Sequence, residues 1–136
     1  MATQFQFYAE SSVRGYHAYK QHDVHIGEIL HCERARDNPH DICAVGVYNE
    51  SGSLVGHVPI ELSAIFSRFL DDYGELEAEC IGSRFNNGEG KGLQFPVDYR
   101  LIGNKKYLKT LQKELTIINI AVVRRLSKIT SFELLI

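Results

Sequence analysis

Over its first hundred residues the chain alternates short runs rich in β-branched and aromatic residues with Gly, Asn, Asp or Pro, and this rhythm constrains the fold most. Such runs read as strands because branched and aromatic side chains fit a pleated, half-buried surface, while the intervening residues supply turn geometry. Strands are expected near Val13–Tyr19, Gly27–Glu33, Ile42–Tyr48, Ser53–Val58, Leu76–Gly82 and Leu93–Leu101. Six strands at this spacing predict a mainly β fold, a small barrel or a sandwich. Between the third and fourth runs, Asn49-Glu50-Ser51-Gly52 is hairpin chemistry, with Gly52 free to take the positive φ of a tight reversal.

One helix breaks the pattern. After Pro59, the residues Leu62, Ile65, Phe66, Phe69 and Leu70 recur at i, i+3, i+4, i+7 and i+8, an apolar stripe that Asp71, Asp72 and Gly74 then end. Pro suits the first turn because its missing N–H would be unpaired there anyway. The run Arg84-Phe85-Asn86-Asn87-Gly88-Glu89-Gly90-Lys91-Gly92 reads as a surface loop, either functional or a long hairpin connection. Beyond it, Leu108, Leu111, Leu115, Ile118, Val122 and Ile129 lie close to a heptad seam, which predicts a helix from about Lys105 through Glu114. Leu115–Val123 is dense in β-branched residues, and its structure stays open between helix and strand.

These elements divide into an N-terminal extension over 1–12, a β unit over 13–103 and an amphipathic appendage over 104–136. Charge follows the same division. Residues 1–103 carry 8 Lys and Arg against 15 Asp and Glu, a net charge of −7, whereas residues 104–136 carry 7 against 2, a net charge of +5. A generic polyanion binder is excluded, since sequence-independent affinity for nucleic acid needs clustered cations, and any such role must be local. The three cysteines, Cys32, Cys43 and Cys80, are too few and too irregular for a secreted disulfide framework, and no apolar run approaches bilayer length. An intracellular protein is expected, nuclear in a eukaryote, with no membrane partner.

Chemistry-bearing motifs are sparse. His22 and His25 with Cys32, or His40 with Cys43, lack the paired ligand spacing of structural zinc, so neither a metal nor a cofactor is expected. No Gly-x-Ser-x-Gly elbow and no phosphate loop occur, since Gly88, Gly90 and Gly92 are not followed by Lys-Ser or Lys-Thr. The expectation is a non-enzymatic module. What stands out is three segments: Gly15-Tyr16-His17-Ala18-Tyr19, Arg36-Asp37-Asn38-Pro39-His40-Asp41 and Val55-Gly56-His57-Val58-Pro59. Asp41, at the mouth of a strand, is either a turn-stabilising acceptor or a ligand contact.

In this order, together with Val13-Arg14-Gly15-Tyr16, Gly27-Glu28, Ala44-Val45, Glu61-Leu62 and Phe95-Pro96-Val97, these segments resemble the HIRAN domain. The resemblance spans about residues 13–103 and rests on the pair Asn-Pro-x-Asp-x-x-Ala-Val and Val-Gly-His-Val-Pro. It implies an OB-like β-barrel with short helices that binds single-stranded DNA, captures its 3′-hydroxyl end and serves DNA repair. On this resemblance Asp41 accepts from the terminal hydroxyl, Asn38 is the turn residue beside it, and His57 contacts phosphate. His17, Tyr19 and His40 complete the DNA-binding set, with Arg14, Tyr16, Phe85 and Leu93 as additional contacts. DNA-binding members carry Arg-Tyr-Tyr where this chain has His17-Ala18-Tyr19, Tyr at His40, Lys at Ile60 and an aromatic residue near Leu93. A base stacked on an aromatic ring is worth about 1–3 kcal/mol, so these departures bear directly on affinity. The acidic β unit and the basic appendage leave a second reading, a scaffold that binds protein or self-associates through residues 104–136.

Overall fold

The computed structural model of the chain describes residues 3–15, 24–35, 41–85 and 94–130. Seven strands and two helices follow in the order β1 (Phe5–Val13), β2 (Ile29–Arg34), β3 (Val45–Tyr48), β4 (Leu54–His57), α1 (Ile60–Asp71), β5 (Glu75–Cys80), β6 (Phe95–Gly103), α2 (Lys105–Ile117) and β7 (Val122–Lys128). All strand pairs are antiparallel and form one sheet, ordered β4-β3-β2-β5-β6-β1-β7. Among the described residues no continuous ladder closes this sheet into the expected six-stranded barrel. Among the described residues, β4 and the end of β1 are joined only by the bridge between Arg14 and His57.

Both helices cover one face. Leu62, Phe66 and Phe69 of α1 and Leu108, Leu111 and Leu115 of α2 share a buried cluster with Phe7, Ala9 and Val13 of β1, Leu30 of β2, Leu76 and Ala78 of β5, and Val97, Tyr99 and Leu101 of β6. Period-2 alternation in the strands and 3.6-residue periodicity in the helices thus converge on one core. Phe66 meets the Tyr99 ring edge-on, centroids 5.2 Å apart, a geometry favoured by the ring quadrupoles.

Chain reversals are built from specific residues. Gly52 takes φ 83° in the β3–β4 hairpin, and the Asn49 side chain accepts from the Ser53 N–H at 2.9 Å. Helix α1 ends as the Gly74 N–H donates to the Phe69 carbonyl, with Tyr73 in the left-handed region at φ 69°. A Cβ on Gly74 would lie 2.3 Å from the Phe69 ring, so the tight return to β5 requires glycine. Asn119 performs the same reversal after α2, at φ 64°, with the Ile120 N–H donating to the Leu115 carbonyl.

Several strand limits differ from expectation. The first strand is Phe5–Val13, and most of the expected Val13–Tyr19 run lies outside the described residues; most of the segment read as an N-terminal extension therefore lies between β6 and β7 inside the sheet. Its polar residues find partners there: Gln6 accepts from Arg100 Nε at 2.6 Å and the Ser12 hydroxyl donates to Gln94 at 3.0 Å. The third strand starts at Val45, because Ile42 and Cys43 occupy a turn headed by Asp41. Helix α2 runs to Ile117, and the part of 115–136 that is described forms the end of that helix, its turn and the edge strand β7.

Candidate functional site

Three described segments meet where β1 ends against β4. The Arg14 N–H donates to the His57 carbonyl and the His57 N–H to the Arg14 carbonyl, both at 2.8 Å. Gly56 permits this approach, since a Cβ there would lie 2.6 Å from the Arg14 carbonyl oxygen and 2.6 Å from Val13 Cγ1. The next residue after the bridge, Val58, donates its N–H to the Val45 carbonyl at 3.0 Å, which ties the same corner to β3.

Asp41 heads the neighbouring turn. Its Oδ1 accepts from the Cys43 N–H at 2.8 Å, and its carbonyl accepts from the Ala44 N–H at 3.1 Å. This is an Asx turn, and it satisfies the turn-acceptor reading of Asp41 through one carboxylate oxygen. Arg34 holds the turn from the other side, donating to the Ile42 carbonyl at 2.8 Å and pairing with Asp71 of α1.

Electrostatics link the two segments. Burial pushes the imidazole of His57 below its ordinary pKa, and the Asp41 carboxylate opposes that shift. His57 is therefore a half-buried, neutral imidazole at neutral pH that a further anion would help to protonate. The Arg14 guanidinium forms a bidentate pair with Glu61 of α1, at 2.8 and 2.6 Å. Its charge is thus largely matched within the fold, while its Nε is a buried donor without a partner among the described residues.

A second such donor lies close by. Gln94 is buried, its Oε1 takes the Ser12 hydroxyl, and its Nε2 has no hydrogen-bond partner among the described residues. Leaving a buried donor unmade costs about 1–3 kcal/mol, so an acceptor oxygen near this end of β1 would be favoured by both. Phe85 is bridged to Gln94 by paired backbone hydrogen bonds of 2.6 and 2.8 Å, and its ring is 40% exposed. A flat apolar face therefore stands near the donors.

Of the residues singled out from sequence, Arg14, Asp41, His57 and Phe85 are thus placed around one end of the sheet. Tyr16, His17, Tyr19, Asn38, His40 and Leu93 lie outside the described residues. Glu61, Gln94 and Gly56 are the additions. Glu61 and Gly56 stood in the sequence motif without an assigned role, and Gln94 carried no signal, because its importance arises from a contact 82 residues away in sequence.

Among the described residues, no group of three or more His, Cys, Asp or Glu side chains is placed to hold a metal ion. Cys32 and Cys80 are buried, and burial pushes both thiols upward, away from the reactive thiolate. Among those residues, too, no helix is long and apolar enough to cross a membrane.

Fold and site together define a small antiparallel β module with two helices on one sheet face and a polar, donor-rich junction at one end. Residues 5–98 match the HIRAN domain model, and the chain belongs to that family. Solved structures agree with the architecture. The crystal structure of the HIRAN domain of human HLTF is 20% identical, with a TM-score of 0.69 over 88% of this chain and 96% of that one. The NMR structure of the HLTF HIRAN domain in its DNA-bound conformation is 22% identical, with a TM-score of 0.62 over 84% and 89%. A Lactobacillus plantarum protein of known crystal structure is 11% identical, with a TM-score of 0.55 over 74% and 99%. No curated protein matches the chain in sequence.

Proposed function

We propose that this chain is a non-catalytic DNA-binding module that takes single-stranded DNA, and 3′-hydroxyl ends in particular, at the junction of β1, β4 and the Asp41 turn. The observation that carries the reading is a half-buried His57 within the field of the Asp41 carboxylate, at a corner that also holds two donors, Arg14 Nε and Gln94 Nε2, unmatched among the described residues. A terminal hydroxyl can donate to the Asp41 carboxylate, whereas an internal phosphate at the same place would be repelled by it. Phosphate oxygens would supply the acceptors those donors lack, and an adjacent phosphate would draw a proton onto His57. Phe85 offers a face for a base, and His17, Tyr19, Asn38, His40, Tyr16 and Leu93 belong to the same proposed set. Family membership and the DNA-bound HLTF HIRAN structure support this reading, and genome maintenance is the setting proposed for it.

The test is a chemical-shift titration with a short single strand bearing a 3′-hydroxyl. Shifts concentrated on Arg14, Cys43, His57 and Gln94 support the assignment. A response confined to other parts of the sheet rejects it.

One observation favours the scaffold reading. On the sheet face opposite the helices, Glu79, Asp98 and Glu10 stand opposite one another on β5, β6 and β1. Like charges in direct cross-strand register weaken a sheet, and a basic protein surface seated there would relieve the repulsion.

A further inference from the structure

All seven cations of residues 104–130 are solvent-exposed: Lys105, Lys106, Lys109 and Lys113 on α2, and Arg124, Arg125 and Lys128 on β7. Two of them rest on rings, Lys105 over Phe5 at 5.6 Å and Arg124 over Tyr8 at 4.5 Å. The one acidic residue of this stretch, Glu114, pairs with Arg68 of α1 rather than with any of the seven.

The helix and strand cations approach one another at one end of this segment, whereas Arg124 lies over Tyr8 on the sheet face opposite α2. The Asn119 reversal returns the chain so that α2 and β7 run antiparallel, and Lys105 and Lys128 both adjoin Phe5, the first over its ring and the second opposite it in the β1–β7 register. Thirteen residues of helix make the band about 20 Å long. A charge field of this density attracts phosphates spaced about 1.7 Å apart along a duplex axis. β7 is itself a poor partner for another strand. Its ladder to β1 shifts register twice and three of its seven residues are charged, both devices that discourage edge pairing.

The band also lies at a defined distance from the β1–β4 corner. Val122 stands opposite Ala9 and Lys128 opposite Phe5, five and nine residues along β1 from Arg14. At about 3.4 Å per residue this is roughly 17–30 Å, the axial rise of about five to nine base pairs.

We infer that the α2–β7 band is a second DNA contact, sequence-independent and directed at the duplex backbone five to nine base pairs inward from a captured end. The inference rests on the proposed end-binding reading for its direction, and on the charge band alone for its affinity. It lies beyond residues 5–98, over which the family model matches.

The test compares the intact protein with a variant carrying Lys109→Gln, Lys113→Gln and Arg125→Gln, three exposed side chains that touch no aromatic ring in the described structure. Binding of a duplex of about 16 base pairs with 3′-hydroxyl ends is titrated against salt, beside a single strand of about four nucleotides, too short to reach the band. Each phosphate contact contributes about 0.9 to the slope of log K on log salt, so the duplex slope should fall by about two to three while the short strand is unaffected. An unchanged duplex slope overturns the inference, and loss of binding to polyglutamate instead assigns the band to an acidic protein. Asp41→Ala separates the two sites. Salt-dependent duplex binding without any 3′-end preference leaves this contact standing and removes end capture, whereas end preference on the short strand with an insensitive duplex slope does the reverse.

Discussion

Replacing Gly56 with alanine is the sharpest probe of the corner that positions His57. The added Cβ would stand 2.6 Å from both the Arg14 carbonyl oxygen and Val13 Cγ1, and Gly56 itself is not in the left-handed region, so the penalty is steric. The Arg14 carbonyl is backbone and cannot rotate away, and therefore β1 and β4 must separate. That breaks the two Arg14–His57 hydrogen bonds of 2.8 Å. At about 1 kcal/mol net for each bond and about 1–3 kcal/mol for overpacking, less about 0.4–1 kcal/mol for the stiffer unfolded chain, the loss is about 2–4 kcal/mol. Gly52→Ala is the control: it has φ 83° but nothing within 4 Å of the added atom, and should cost about 1 kcal/mol from backbone strain alone. Urea denaturation measures both, and amide exchange at Arg14 and His57 reports the bridge. A Gly56→Ala protein within about 0.5 kcal/mol of the parent and still protected at both amides would refute the steric argument.

Other consequences follow from the same geometry. Because burial lowers the His57 pKa below its unfolded value of 6.5, the unfolded state binds more protons in that window, and stability falls as pH drops below 6.5. DNA affinity should move oppositely, rising on acidification because phosphate favours the imidazolium; parallel urea and binding titrations between pH 5 and 8 check both signs, and a pH-independent affinity counts against a His57–phosphate contact. Asp41→Asn removes the carboxylate that raises the His57 pKa, so the imidazole midpoint in an NMR titration should fall further, and an unchanged midpoint refutes the coupling. Tyr99→Phe deletes a buried hydroxyl that donates to the Ser12 carbonyl at 2.6 Å, and should cost about 1–2 kcal/mol of unfolding free energy by urea denaturation.

The hydrophobic periods of α1, β2, β4 and β5 were legible in the sequence because each has one face in the core and one in solvent. β1 was not. Gln6 and Ser12 are polar yet buried, and only their partners Arg100 and Gln94, more than 80 residues away, make that placement tolerable. Ile42 and Cys43 read as strand by composition, but the Asp41 side chain captures the Cys43 N–H and bends the chain first. In the tail, β-branched density and heptad spacing competed, and the positive φ at Asn119 divides them into a helix and a strand. At the candidate site, Asp41 and His57 stood out as a motif pair. The Arg14–Glu61 ion pair, which withdraws much of the arginine's charge from ligand binding, depends on packing α1 beside the end of β1.

Capture of a strand end at this corner predicts one ratio: the Kd for a short single strand ending in 3′-phosphate over that for the same strand ending in 3′-hydroxyl, measured for the parent and for Asp41→Ala. A phosphate set against the Asp41 carboxylate should cost at least about 1.4 kcal/mol, so a ratio of about tenfold or more is expected in the parent and a ratio near one in the variant. Equal affinities in the parent, or a preference that survives Asp41→Ala, would contradict end capture at this corner.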